Sequence, residues 1–189
     1  MIQDEITIAY EGASSRIITP LDIAIIQDKS LSLFQKTLLI TNGTVTDLLM
    51  LYTGKIIKVI KIKQDNTLSG NHEVAFCPPE IPILRRSILL SSEKKNLLYA
   101  ESTFIFDQLP KSIQYKLLET DLPIGLIWKE EKFETYREII EYKNEVCETL
   151  SIYFDIDPQV SMLSRTYLIY HNNTILGIIT EKFPFTYFK

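Results

Sequence analysis

Apolar residues along this chain change their spacing several times, and each change marks an element. Pro20 and Asp22 open a short helix, Leu21 to Ile26, ahead of the turn and N-cap signal Asp28-Lys29-Ser30. Leu31, Phe34 and Leu38 then fall at i, i+3 and i+7, one face of a second helix that Asn42-Gly43 breaks. A third, Asp47 to Tyr52, takes Thr44 or Thr46 as its cap and ends at Gly54. Three short helices cannot close a core alone, so they need a flat surface beneath them. The next pattern supplies it. Lys55 to Lys63 alternates as a strand, and Gln64 to His72 reads as loop. Leu84 to Ser91 and Leu97 to Phe106 are strands at hairpin distance. Asp107 to Glu119 returns to helical spacing, with Pro110 in its first turn. Leu126-Ile127-Trp128 and Phe133 to Tyr142 flank a charged tip and read as another strand pair, followed by a helix from Val146 to Phe154. Leu163 to Tyr170 and Thr174 to Phe183 flank His171-Asn172-Asn173, the strongest hairpin signal in the chain. Hairpin-linked strands make an antiparallel sheet, and the expected fold is α+β with helices packed on one face and N-terminal helical flaps.

Composition narrows the function classes. The 189 residues, 46% hydrophobic and 23% charged, suit a single domain over 1–189 with a core that needs no disulfide or metal. Twenty basic against 24 acidic side chains argue against a nucleic-acid binder, which would carry a basic face. No apolar run reaches membrane-spanning length, and the acidic start Met1-Ile2-Gln3-Asp4-Glu5 is unlike a targeting peptide. Cys77 and Cys147 match no metal or redox spacing and read as reduced thiols.

No phosphate-gripping loop, metal-ligating histidine pair or nucleophile elbow is present. His72 and His171 read as solvated loop residues, so any chemistry falls to Arg, Glu and backbone groups. Three features stand out. Arg85-Arg86 lies in a strand, so one guanidinium must point to the helix-covered face, where it needs an anion. Glu181 ends the lane Ile175-Gly177-Ile179-Glu181, where desolvation disfavours a charged carboxylate. Pro123-Ile124-Gly125 is a turn with backbone N–H groups to offer. Each has an ordinary reading too: Arg86 and Glu181 can form an internal ion pair or sit at the rim, and Pro-Ile-Gly can be only a turn. Arg137 and Arg165 lie in strand-like segments and read as surface or supporting residues, one of which Glu101 could neutralise.

Taken in order, Pro82-Ile83-Leu84-Arg85-Arg86-Ser87-Ile88-Leu89-Leu90, Leu98-Tyr99-Ala100-Glu101-Ser102, Leu122-Pro123-Ile124-Gly125, Glu134-Thr135-Tyr136-Arg137-Glu138-Ile139, Ser164-Arg165-Thr166-Tyr167 and Ile178-Ile179-Thr180-Glu181-Lys182-Phe183-Pro184 resemble the chorismate lyase family, in particular its cyanobacterial and plastid-encoded branch. The resemblance implies a chorismate pyruvate-lyase that turns chorismate into 4-hydroxybenzoate and pyruvate for quinone synthesis, in a plastid or a bacterial cytoplasm. It puts the carboxylate-binding arginine at Arg86, the backbone contact at Ile124, the glutamate facing the ring hydroxyl at Glu181, the flap residue near Leu31, and supporting roles at Arg137 and Arg165. It implies no metal, nucleotide or flavin. The chain is expected to be a monomer, and a buried aromatic product gripped at both ends is expected to leave slowly. Two other readings are a non-catalytic module of the same fold that senses a small carboxylate, and an inactive relative.

Overall fold

The computed structural model describes residues 19–70, 77–93 and 95–189. Its first two helices, α1 (Pro20–Gln27) and α2 (Leu33–Ile40), each begin with a reciprocal capping box, Thr19 with Asp22 and Ser32 with Gln35. The second helix therefore starts two residues after the expected Leu31. Ser30 is unavailable as its cap because its amide and hydroxyl both donate to Asp28 Oδ1, at 2.7 and 2.6 Å. Fully buried Gln35 also donates to the carbonyls of Phe185 and Tyr187, at 2.8 and 2.7 Å, tying the last residues under the helices. A third helix, α3 (Val45–Thr53), ends on left-handed Gly54.

Six strands follow: β1 (Ile57–Leu68), β2 (Pro82–Ser92), β3 (Lys95–Ile105), β4 (Tyr136–Val146), β5 (Ser161–His171) and β6 (Thr174–Pro184). They form one antiparallel sheet in the order β1-β2-β3-β6-β5-β4. The β5–β6 hairpin turns through Asn172 and Asn173, at φ 47° and 62°, as its sequence predicts. His171 is at the hairpin tip as expected, stacked on Phe133 at 4.1 Å, whereas His72 lies outside the described residues.

Some expectations fail for identifiable reasons. β1 continues to Leu68 because β2 offers a partner as far as Pro82, and a mostly exposed edge strand tolerates the polar run Gln64–Thr67. Leu126-Ile127-Trp128 is not a strand. It belongs to α5 (Ile124–Glu130), and the partner of β4 is β5. A three-residue apolar run fits either period, and burial of Ile127 and Trp128 against α4 (Lys111–Glu119) decides for helix. Pro110 is the N-cap of α4, and Asp107 falls in a separate 3₁₀ turn, Phe106–Gln108. β4 extends to Val146, which delays α6 to Glu148–Phe154.

Helices α1 to α5 cover the face that carries Leu84, Ile88 and Leu90, while α6 packs on the other face through Phe154, Leu89, Tyr99 and Met162. The covered face holds two apolar clusters. One joins α2 and α3 to Ile88, Leu90, Leu98, Ala100, Leu163 and Phe183; the other joins α4 and α5 to Leu84, Phe104, Tyr167, Ile169 and Ile179. Four strands cross from one cluster to the other, and at the crossing each bears a polar residue: Arg86, Ser102, Glu181 and Arg165. The site lies in this seam.

Candidate active site

Alternation along β2, β3, β5 and β6 aims these four side chains at the covered face. Arg86 pairs in register with Ser102, Glu181 with Ala100 and also with Arg165 across β5. Two strand spacings and two residues' rise separate the Cα atoms of Arg86 and Glu181 by about 12 Å. Both side chains line one cavity with about 550 Å³ of atom-free space, part of it open to solvent. Its sheet wall includes Arg86, Ser102, Glu181 and Tyr167, and its helical wall is built from Gly43–Thr46 and Pro123–Gly125.

The two buried arginines of the seam differ in partnership. Arg86 is 4% exposed, and its Nε and Nη2 are buried without a hydrogen-bond partner. Burial lowers its pKa from the ordinary arginine value, and the field of Asp121 only partly opposes this. Arg165 is 1% exposed, but its Nε donates to Glu181 Oε2 at 2.7 Å and its Nη1 to the carbonyls of Leu39 and Thr41 at 3.2 and 2.7 Å. Burial alone would lower the Arg165 pKa, and the Glu181 charge, with Tyr167 behind it, turns the net shift upward. Among the described residues, one guanidinium has its anion and the other has none.

Glu181 is therefore not a lone carboxylate at the end of an apolar lane. Arg165 holds one oxygen, and the Tyr167 hydroxyl donates to the other at 3.1 Å. Burial, then the Glu181 charge, raise the Tyr167 pKa, so the phenol stays protonated and keeps donating. The internal pair that the sequence left open exists, but its cation is Arg165 rather than Arg86. Arg137 reaches the cavity from β4, with Nη1 donating to the Asn42 carbonyl and Nε buried without a partner.

The remaining sequence candidates divide. Ile124 lines the cavity at the first residue of α5, where helix geometry leaves its N–H without an intrahelical acceptor. Leu31 does not line it: this side chain is buried in the apolar cluster under α2 and α3. Beside Pro123–Gly125 the helical wall comes from Gly43–Thr46, which the sequence marked as a helix break and cap but not as part of a site. Arg85 points to the other face, as alternation requires. Among the described residues no group of three or more His, Cys, Asp or Glu side chains could hold a metal ion, and no helix is long and apolar enough to cross a membrane.

Gly125 sets how closely the two helical walls meet. A Cβ there would lie 2.5 Å from Thr44 Cγ2. Threonine is stiff at χ1, so the methyl cannot simply swing away. Gly125→Ala is expected to push α3 from α5 and weaken binding of a cavity ligand about tenfold, and Thr44→Ser, which removes the methyl, is expected to restore it. Calorimetric titration with 4-hydroxybenzoate checks both; an unchanged affinity in Gly125→Ala would show that this contact does not shape the cavity.

Residues 39–189 match the family model described as Chorismate pyruvate-lyase Rv2949c-like. The chain belongs to this family. It is 34% identical to the "Chorismate pyruvate-lyase" of Mycobacterium leprae over 114 residues, 54% of this chain and 50% of that relative, so the match spans half of the relative's length. It is 30% identical to "Putative lyase MJ0807" of Methanocaldococcus jannaschii over 79% of this chain and 77% of the relative. To "Uncharacterized protein ycf21" of Cyanophora paradoxa it is 29% identical, over 77% and 74% of the two chains. Among solved structures it resembles the effector domain of PhnF from Mycobacterium smegmatis, with a TM-score of 0.58 and 12% identity over 77% of this chain and 91% of that one. A GntR-family transcriptional regulator from Enterococcus faecalis gives a TM-score of 0.54 and 11% identity over 69% and 96%. These likenesses establish the α+β fold of the sequence analysis, an architecture that lyase-family members share with effector-binding domains.

Proposed function

We propose that this protein is a chorismate pyruvate-lyase, forming 4-hydroxybenzoate and pyruvate from chorismate for quinone biosynthesis. The observation that carries the reading is the unpartnered, buried Arg86 in a cavity that also contains Glu181. A guanidinium left unpaired in a buried site is costly, and a planar carboxylate is the anion that its fork fits. The ring carboxylate of chorismate binds Arg86, with the Ile124 N–H as a second donor. The ring hydroxyl then lies toward Glu181, whose position is fixed by Arg165 and Tyr167.

In the reaction the ether C–O bond breaks and the adjacent ring carbon loses its proton. The ring electrons become aromatic, the ether oxygen becomes the pyruvate ketone, and the vinyl methylene gains a proton to become the methyl. Aromatisation makes this strongly downhill, so the protein's task is to hold the dianion, orient the departing ether and limit water. Glu181 accepts a hydrogen bond from the ring hydroxyl and favours the forming phenol. The likeness to the Cyanophora paradoxa relative supports a plastid setting, with a bacterial cytoplasm as the other.

Incubation of the purified protein with chorismate is expected to release pyruvate and 4-hydroxybenzoate in equal amounts, read by a coupled lactate dehydrogenase assay and by chromatography. Folded protein that releases no pyruvate above the uncatalysed background overturns the proposal. The fold shared with effector domains favours one alternative, a carboxylate-sensing module. Tight binding of 4-hydroxybenzoate without turnover would select it.

A further inference from the structure

Arg137 lines the cavity together with Arg86, and neither the internal ion pair nor the ring carboxylate uses it. We infer that Arg137 receives the second carboxylate of the substrate, the one carried on the enolpyruvyl side chain; this assignment rests on the proposed lyase reading. Its Nη1 is committed to the Asn42 carbonyl, while Nε is buried and has no partner. Among the described residues no carboxylate lies within ion-pair distance of it. Its guanidinium carbon stands 5.9 Å from the centre of the Tyr167 ring, and Tyr167 in turn donates to Glu181. Arg137 on β4 and Arg86 on β2 thus enter the cavity from opposite sides of Glu181, each two strands away from β6, with Tyr167 between Arg137 and Glu181.

The chemistry of the substrate matches that order. Its ether oxygen sits on the ring carbon next to the one bearing the hydroxyl. When the ring carboxylate is on Arg86 and the hydroxyl on Glu181, the side-chain carboxylate must lie at the Glu181 end. A second cation is needed there, because Glu181 itself would repel it. Arg165 also has an unpartnered nitrogen, Nη2, but it does not line the cavity, and its Nε and Nη1 are bonded to Glu181 and to the carbonyls of Leu39 and Thr41. Arg137 has the free Nε edge. Its hold on Asn42 also joins the departing fragment's site to the segment that lines the helical wall.

The test compares two unreactive probes in wild type, Arg137→Gln and Arg137→Lys. 4-Hydroxybenzoate has only the ring carboxylate, whereas 3-(carboxymethoxy)-4-hydroxybenzoate adds a second one on the oxygen beside the hydroxyl. Calorimetry is expected to show Arg137→Gln binding 4-hydroxybenzoate within about threefold of wild type and losing about 10- to 100-fold for the two-carboxylate probe, with Arg137→Lys between them. The KM for chorismate should rise in parallel. Equal losses for both probes in both variants would make Arg137 only a latch for Asn42 and overturn the inference, as would no loss for either. If Arg137→Gln shows the selective loss yet wild type releases no pyruvate, the lyase reading fails while the second-carboxylate site stands. If pyruvate forms and Arg137→Gln discriminates neither probe, the reverse holds.

Discussion

Arg86→Met is expected to make the unliganded protein more stable and to abolish its affinity for 4-hydroxybenzoate. The two effects share one cause. Arg86 is 4% exposed, two of its nitrogens are unpaired, and the surrounding cavity includes Ile88, Leu90 and Ala100. A methionine of similar length retains the packing and removes an uncompensated charge, which should add about 1–3 kcal/mol to unfolding stability. The bound state loses a charge-assisted fork to the carboxylate, so affinity should fall by about 100-fold or more. Thermal unfolding with and without 4-hydroxybenzoate reads both at once. At 100 times its Kd the ligand stabilises wild type by about 2.7 kcal/mol, and at the same concentration this increment should fall to about 0.4 kcal/mol or less in the variant. A less stable Arg86→Met would mean that the arginine supports the fold; a variant still stabilised by the ligand would put the anion site elsewhere.

The sheet and the helical cover were legible because period-two and period-3.6 patterns survive in this sequence. Arg86 and Glu181 were visible for a related reason: each interrupts a lane otherwise apolar, Leu84-Arg86-Ile88-Leu90 and Ile179-Glu181-Phe183. Leu163-Arg165-Tyr167-Ile169 carries the same signal, and of the two readings open to Arg165, surface residue or supporting partner, its burial against Glu181 excludes the first. What alternation cannot give is the partner. The pairing of Glu181 with Arg165 rather than Arg86 follows from β5 lying directly beside β6, whereas β3 separates β6 from β2. Leu31 failed as a wall residue because Ser32, not Ser30, caps α2, and the side chain goes into the core. Gly43–Thr46 became the wall only through the meeting of α3 with α5, a contact between segments 80 residues apart that no local pattern encodes.

Arg165→Met, chemically the same replacement as Arg86→Met, is expected to act in the opposite direction. It leaves Glu181 buried with only the Tyr167 hydroxyl, and it strips the Leu39 and Thr41 carbonyls of their donor at the end of α2. Removing one member of a buried pair costs about 3–5 kcal/mol, because the surviving charge cannot recover its hydration. Urea unfolding should show that loss. Glu181→Leu alone should also destabilise, by stranding Arg165. Replacing both should cost less than the two separate losses combined, by about 2 kcal/mol, since no unpaired charge then remains. It should not return to wild type, because the two α2 carbonyls would still lack the guanidinium. Additive losses would mean that Arg165 and Glu181 are not energetically coupled. A cost below about 1 kcal/mol for Arg165→Met would mean that the helical cover is held by its apolar contacts alone. The expected divergence between the two arginines follows from what each one touches: Arg165 connects sheet, glutamate and helix within the folded chain, whereas Arg86 has no anion among the described residues and, on the proposed reading, receives one from the ligand.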